Sequence, residues 1–89
     1  MVKLGTIVTN NDYISVASSI NIIYNNSKYY KETDFLEIIS PKGDSMKFTK
    51  EIFDNINENS IDASERLFGI ADYVKSKMEA SVQGVLFNE

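Results

Sequence analysis

The 89-residue sequence contains no cysteine, no histidine, no tryptophan and a single proline. The absence of cysteine excludes disulfides, thiol nucleophiles and cysteine-ligated zinc or iron–sulfur centres. The absence of histidine removes the commonest general base and the commonest zinc ligand. No apolar run approaches the roughly 18 residues of a membrane span, and the N-terminus lacks the apolar core of a signal peptide. We therefore expect a cytoplasmic protein that does not contact a membrane.

Catalytic patterns are also missing. Without histidine and cysteine, a Ser–Lys pair or two carboxylates would have to carry a reaction. The sequence shows no glycine-rich phosphate loop and no nucleophile-elbow pattern, and a domain of this size has little room for a substrate pocket. We predict that the protein is not an enzyme and has no catalytic residue, no cofactor and no metal site.

Hydrophobic residues make up 43% of the chain and charged residues 25%, as in an ordinary globular domain. The patterning predicts one domain over residues 1–89. The expected strands and helices, in chain order, are a strand at 2–8, a helix at 12–25, strands at 33–40 and 45–48, and helices at 50–56 and 62–81. Asp12, Thr49 and Asp62 are suited to cap the three helices, and Pro41 and Gly43 favour a turn between the last two strands.

This order, β-α-β-β-α-α, predicts a small α+β domain with a short antiparallel sheet packed by helices. The second strand carries apolar side chains on both faces, namely Phe35, Leu36, Ile38 and Ile39. This pattern indicates a central strand. Gly69 lies inside the last helix, where it costs roughly 1 kcal/mol relative to alanine, so it indicates close packing of another element.

The C-terminal tail is apolar. We expect Gly84 to end the last helix and leave Val85, Leu86 and Phe87 as a segment that needs cover. The segment can form an edge strand within the chain or pair across a homodimer. The sequence leaves both alternatives open.

The net charge of −4 is unevenly distributed, with +1 in residues 1–50 and −5 in residues 51–89. Glu51, Asp54 and Glu58 recur at intervals of three and four, so they share one side of a helix that reaches that far. Like charges at this spacing repel one another, and a cationic partner would relieve the repulsion. We predict a partner-binding acidic stripe, namely Glu51, Asp54, Glu58, Asp62 and Glu65.

Several apolar residues fall outside the core-facing stripes of their helices, and we predict that they form an apolar interface together with the tail: Ile14, Ile22, Phe68, Tyr73, Val85, Leu86 and Phe87. The sequence thus indicates a small acidic protein-interaction module that acts by occupying the surface of a partner protein. Nine Asn and eleven Ile beside one Pro are typical of proteins from AT-rich bacterial or phage genomes. Small acidic phage proteins can imitate phosphate spacing, so a phage or mobile-element inhibitor of a host nucleic-acid enzyme is the sharper form of this hypothesis.

A nucleic-acid-binding regulator is one alternative. The segment 28–31 places two aromatic rings between two lysines, namely Lys28, Tyr29, Tyr30 and Lys31. Nucleobases stack on tyrosine while lysine neutralises phosphate, so this tetrapeptide suits a single-strand binding loop. The acidic second half of the chain would repel a phosphate backbone, which makes nucleic acid the less favoured partner.

A calcium site is the other alternative. Residues 54–65 resemble the twelve-residue loop of the EF-hand family. The resemblance implies oxygen ligands at five loop positions, namely Asp54, Glu58, Ser60, Asp62 and Glu65. The segment departs from the family pattern at the third ligand position, which is Ile56, and at the sixth position, which is Asn59 where the family has glycine.

Overall fold

The computed structural model describes residues 1–26 and 29–87, and over residues 80–87 it describes the helical backbone only. The elements follow one another as β1 (Lys3–Val8), α1 (Tyr13–Asn25), β2 (Phe35–Ile39), β3 (Ser45–Thr49), α2 (Lys50–Glu58) and α3 (Ala63–Phe87). The predicted α+β class and the predicted β-α-β-β-α-α order are both confirmed.

The sheet has three strands in the order β1-β2-β3, so β2 is central as predicted. β1 runs parallel to β2, and β2 runs antiparallel to β3. The expectation of an antiparallel sheet is therefore correct for the β2–β3 hairpin and wrong for β1. The reason is α1, which returns the chain to the starting end of the sheet so that β2 runs in the direction of β1.

The hairpin turn has the predicted chemistry. Gly43 adopts a φ of 91°, which a residue with a β-carbon rarely tolerates. The Ser40 backbone N–H donates to the Asp44 carbonyl oxygen at 2.8 Å and closes the turn. Across the hairpin, Leu36 pairs with Phe48, and both side chains are buried.

The helices cover one face of the sheet. The core comprises one apolar cluster from all three helices and two strands: Val16, Ala17, Ile20, Tyr24, Leu36, Ile38, Phe48, Phe53, Ile70, Ala71, Val74 and Met78. The opposite sheet face carries charge, because alternate strand residues point away from the core. There the Lys3 Nζ lies 2.9 Å from the Glu37 Oε1, and the Lys47 Nζ lies 4.8 Å from the centre of the Phe35 ring.

The helix starts predicted from the sequence are confirmed for α1 and α2. Asp12 caps α1 by accepting from the Ser15 backbone N–H at 3.1 Å and from the Ser15 hydroxyl at 2.8 Å. Thr49 caps α2 by accepting from the Ile52 N–H at 3.2 Å. The Ser15 hydroxyl, followed by its backbone N–H, lowers the pKa of the Asp12 carboxyl. Short oxygen-bearing side chains thus satisfy amides that the first turn of each helix leaves without a partner.

α3 is longer than predicted and passes through Gly84 to Phe87. Of the two alternatives for residues 85–87, the edge strand within the chain is therefore wrong, because these residues continue the helix. A single glycine costs about 1 kcal/mol relative to alanine, which is too little to end a helix by itself. α2 is also longer, because it continues two residues beyond Ile56.

A buried tyrosine joins α1 to the sheet. The Tyr24 hydroxyl donates to the Phe48 carbonyl oxygen at 2.6 Å and lies 3.3 Å from the Asp34 carbonyl oxygen. Burial raises the pKa of Tyr24 well above its usual value. The Asp34 carboxylate in turn accepts from the backbone N–H groups of Val2 and Lys31 at 3.1 and 2.9 Å. Tyr24 and Asp34 therefore fasten the starting end of the sheet's central strand to α1 and to the start of β1.

Candidate functional site

Glu51, Asp54 and Glu58 lie on one side of α2, and we call these three residues the acidic face. Their spacing of three and four places them together on the helix surface. Phe53, on the opposite side, is buried in the core. Glu51 and Glu58 are exposed, whereas Asp54 is half-buried. The predicted arrangement of these three carboxylates on one helix side is what the structure has.

Asp54 is already paired. The Lys50 Nζ lies 3.0 Å from its Oδ1 and 2.8 Å from its Oδ2, one helical turn away. This leaves Glu51 and Glu58, whose carboxylates make no hydrogen bond or ion pair within the described part of the chain. The negative charge that the acidic face offers to a partner therefore lies chiefly at its two ends.

Asp62 and Glu65 do not continue the acidic face, because they lie at the start of a different helix. The Asp62 Oδ1 accepts from the Glu65 backbone N–H at 2.9 Å, and the Glu65 Oε1 lies 3.4 Å from the Ile61 backbone nitrogen. The first bond is the cap expected of Asp62, whereas the Glu65 carboxylate reaches the N–H of Ile61 rather than that of Asp62. Both side chains are exposed, but the geometry assigns them to holding α3 in place.

The calcium-loop alternative is not supported by the backbone. α2 extends through Glu58, so residues 54–58, the first five positions of the EF-hand-like segment, are helical. An EF-hand loop instead wraps its ligands around the ion. In residues 1–26 and 29–87, moreover, no group of three or more acidic side chains is placed to hold a metal ion.

A groove lies beside the acidic face, between α2 and α3. It has a volume of about 430 Å³, and we call it the α2 groove. Its lining residues are Thr49, Glu51, Ile52, Asn55, Ile56 and Tyr73. Ile52, Ile56 and Tyr73 are half-buried and pack against the core. The α2 groove thus combines an apolar floor with one unpaired carboxylate, that of Glu51.

Tyr73 is part of the predicted apolar interface, and the structure places it in the wall of the α2 groove. Its ring packs edge-on against the Phe48 ring, with centres 5.6 Å apart. The Lys77 Nζ lies 5.5 Å from the centre of the Tyr73 ring. Ile52, Asn55 and Ile56 were not predicted as interface residues, because the helical pattern assigns the two isoleucines to the core and gives no signal for Asn55.

The other predicted interface residues are not brought to the α2 groove. Ile14, Ile22 and Phe68 are exposed to 43%, 60% and 59% on α1 and α3. Ile14 lines a separate cavity of about 300 Å³ that also involves Ala71 and Lys75. The remaining three residues of the prediction lie outside the described side chains: Val85, Leu86 and Phe87.

The predicted nucleic-acid loop is divided by the fold. Lys28 lies outside the described residues. The Tyr30 ring packs edge-on against Tyr24 at 5.9 Å and is half-buried, whereas Tyr29 is 93% exposed. The Lys31 backbone N–H is held by the Asp34 carboxylate at 2.9 Å. Of the two rings, Tyr30 is thus committed to packing on Tyr24, and Tyr29 is the one that faces solvent.

Arg66 was not singled out by the sequence, yet it bonds to two other helices. Its Nε donates to the Asn21 Oδ1 on α1 at 2.9 Å, and its Nη1 donates to the Asn57 Oδ1 on α2 at 2.8 Å. The guanidinium fork is suited to two such bonds at once. Asn21 and Asn57 are distant in sequence, so no local pattern could have revealed this role.

Comparison of the chain with protein families, with curated proteins and with solved structures gives no match. Within residues 1–26 and 29–87, no helix combines the length and the hydropathy that crossing a membrane requires.

Proposed function

We propose that the protein is a small, acidic, non-enzymatic protein-interaction module that acts by occupying a surface of a partner protein. One observation supports this most directly. Glu51 and Glu58 are exposed, unpaired within the described chain and on the same side of α2, beside a groove with an apolar floor. This pairing of charge with adjoining apolar surface is the combination that protein interfaces use.

Charge and apolar surface would have separate tasks. The acidic face orients the encounter with a basic partner surface and speeds association at low salt. Burial of the apolar floor supplies affinity, because fully burying one large aliphatic or aromatic side chain contributes roughly 1.5–3 kcal/mol. We therefore propose a cytoplasmic partner with a basic surface that carries at least one apolar anchor.

A sharper form of the proposal names the partner class. A cleft that binds nucleic acid is basic, and carboxylates on an exposed helix can occupy the positions of phosphates in such a cleft. The protein would then be a phage or mobile-element inhibitor of a host nucleic-acid enzyme, blocking it by occupancy. Self-association through exposed residues of α1 and α3, such as Ile22 and Phe68, would present two acidic faces to the same target.

The test is capture of partners from a lysate of the source organism by tagged protein, with and without nuclease. We expect a stoichiometric, nuclease-resistant protein partner. The double variant Glu51→Lys, Glu58→Lys should lose it, whereas Asp44→Lys on the β2–β3 turn should retain it with the same circular-dichroism melting curve. Capture that survives the double charge reversal would show that the acidic face serves only solubility.

Loss of the captured material after nuclease treatment would instead favour the nucleic-acid regulator. In that case binding should weaken steeply with salt, and Tyr29→Ala should weaken it further because a stacking ring is removed.

A further inference from the structure

We infer that the α2 groove is a binding site for a cationic side chain that adjoins an apolar one, as in an arginine or lysine next to an aromatic or large aliphatic residue of a partner segment. The inference rests on the proposed function and names the partner chemistry that the groove selects.

The floor of the groove is held in place from below. Ile56 packs so closely on α3 that a β-carbon built on Gly69 would lie 2.9 Å from its Cγ2 atom. The Tyr73 ring rests edge-on against the buried Phe48 ring. Both side chains are thus fixed before any partner arrives. A preformed apolar surface loses little side-chain freedom on binding, which favours affinity.

Glu51 provides the negative charge at the rim. Its backbone N–H donates to the Glu32 carbonyl oxygen at 3.1 Å, which fixes the start of α2. The nearest base along the chain, Lys50, is engaged by Asp54 and does not neutralise Glu51. Asn55 lies one turn further along, and its amide oxygen accepts from the Asn59 Nδ2 at 3.1 Å. The second lone pair of that oxygen can accept from a guanidinium or ammonium group. The rim therefore offers acceptors to a cation.

The opposite wall gives the site a direction. Lys77 lies over the Tyr73 ring, so the Tyr73 end repels a second cation and favours an apolar group. A bound segment would place its charge at Glu51 and its apolar side chain over Ile56 and Tyr73. The volume of about 430 Å³ falls within the range of small-ligand pockets, so the groove can receive a few side chains but not a folded element.

Two other cavities lack this selectivity. They share Asn11 and Tyr13, and their linings mix both signs of charge. One combines Lys42 with Glu79, and the other combines Lys75 with acidic residues. Neither presents an unopposed carboxylate above an apolar floor, so neither indicates one class of ligand.

The experiment is a nitrogen-15 NMR titration of the full chain with matched fragments. Phenethylguanidinium carries a cation beside an aromatic ring, whereas 3-phenylpropionate carries an anion beside the same ring. We expect phenethylguanidinium to shift the amides of Ile52, Asn55 and Ile56 saturably, with weak affinity because the fragment is small. 3-Phenylpropionate should produce no saturable shift there, since Glu51 repels it.

Two variants with the same charge change test the role of Glu51. Glu51→Gln should weaken phenethylguanidinium binding about fivefold, the effect of losing one charge-assisted contact at a partly exposed site. Glu79→Gln, the same charge change at an exposed residue of α3 outside the groove lining, should bind like the wild type. Equal affinity for the two fragments, equal weakening by both variants, or saturable shifts confined to another surface would overturn the inference.

Fragment binding and partner capture can fail independently. If charge reversal on α2 abolishes capture while the fragments do not bind the groove, the interaction module stands and this inference falls. If the cationic fragment binds through Glu51 while capture survives charge reversal, the groove is a cation-selective site and the proposed role of the acidic face is wrong.

Discussion

Gly69 on α3 and Ile56 on α2 approach each other so closely that a β-carbon at residue 69 would lie 2.9 Å from the Ile56 Cγ2 atom. Such a distance is shorter than normal van der Waals contact, and the γ2 methyl of a β-branched side chain has little freedom to move away. The glycine is therefore what lets α2 pack against α3 and form one side of the α2 groove.

Gly69→Ala should lower the free energy of unfolding by about 1 kcal/mol, because overpacking at Ile56 outweighs the better helix propensity of alanine. In an Ile56→Ala background the same change should instead raise it by up to about 1 kcal/mol, since the obstructing methyl is gone. Urea unfolding of the four proteins measures this coupling. Stabilisation by Gly69→Ala in both backgrounds would contradict the close approach.

Tyr24→Phe should destabilise the protein by about 0.5–1.5 kcal/mol, because the buried hydrogen bond from the Tyr24 hydroxyl to the Phe48 carbonyl oxygen at 2.6 Å is lost. Tyr13→Phe is the matched control, since no hydrogen bond of the Tyr13 hydroxyl is present in the described structure, and it should change stability by less than about 0.5 kcal/mol. Chemical denaturation measures both changes in the free energy of unfolding, and we expect the m-values to stay unchanged. Equal effects of the two variants would refute the role of the Tyr24 hydroxyl.

The depressed pKa of Asp12 predicts a pH dependence of α1 stability. A carboxyl whose pKa is lower in the folded than in the unfolded state stabilises the fold above its unfolded pKa, and this contribution disappears as pH falls through the folded pKa. Asp12→Asn should therefore be less stable than the wild type at neutral pH, and the difference should narrow in acid.

The cause of that shift can be tested separately by NMR titration of the Asp12 side-chain carboxyl carbon. Ser15→Ala removes the hydroxyl that contributes most to lowering the pKa, so the Asp12 pKa should rise toward its ordinary value. Ser19→Ala, the same substitution further along α1, should leave it unchanged. An Asp12 pKa that does not respond to Ser15→Ala would show that the hydroxyl bond is not formed in solution.

Arg66→Lys should lower the free energy of unfolding by about 1 kcal/mol. An ammonium group cannot reproduce the planar guanidinium, which donates to Asn21 and to Asn57 at the same time. Lys75→Gln, which removes an exposed base from the same helix, should stay within about 0.5 kcal/mol of the wild type. Thermal unfolding at fixed salt compares the two. If Arg66→Lys leaves the free energy of unfolding unchanged, the bridge between helices contributes no stability.

Local chemistry made most of the fold predictable. Asp12 and Thr49 precede amphipathic segments and cap the two helices that follow, and Gly43 marks the hairpin turn. The direction of β1 was not predictable, because strand alternation is the same in parallel and antiparallel pairs. The predicted end of α3 at residue 81 was also wrong. One glycine, Gly84, is a weak local signal that the rest of a helix can override.

The candidate site was predictable only in part. The spacing of Glu51, Asp54 and Glu58 places them on one helix side without reference to the rest of the chain. Lys50, four residues before Asp54, was a signal already in the sequence that this carboxylate is neutralised. The α2 groove was not predictable, because it depends on how Ile56 and Tyr73, from different helices, meet in space.

The position of β1 at the edge of the sheet bears on how the chain reaches this structure. β2 and β3 are joined by a short turn, whereas β1 reaches β2 only after α1 has formed the crossover. Closing the larger loop costs more chain entropy, so the hairpin can assemble early and β1 joins late. The amides of Gly5 and Ile7 face β2, because N–H direction alternates along the strand from Thr9, which donates to the Ile39 carbonyl oxygen. Their protons should consequently exchange with deuterated solvent sooner than those of Leu36 and Ile38, which makes the first strand the part of the fold that opens first.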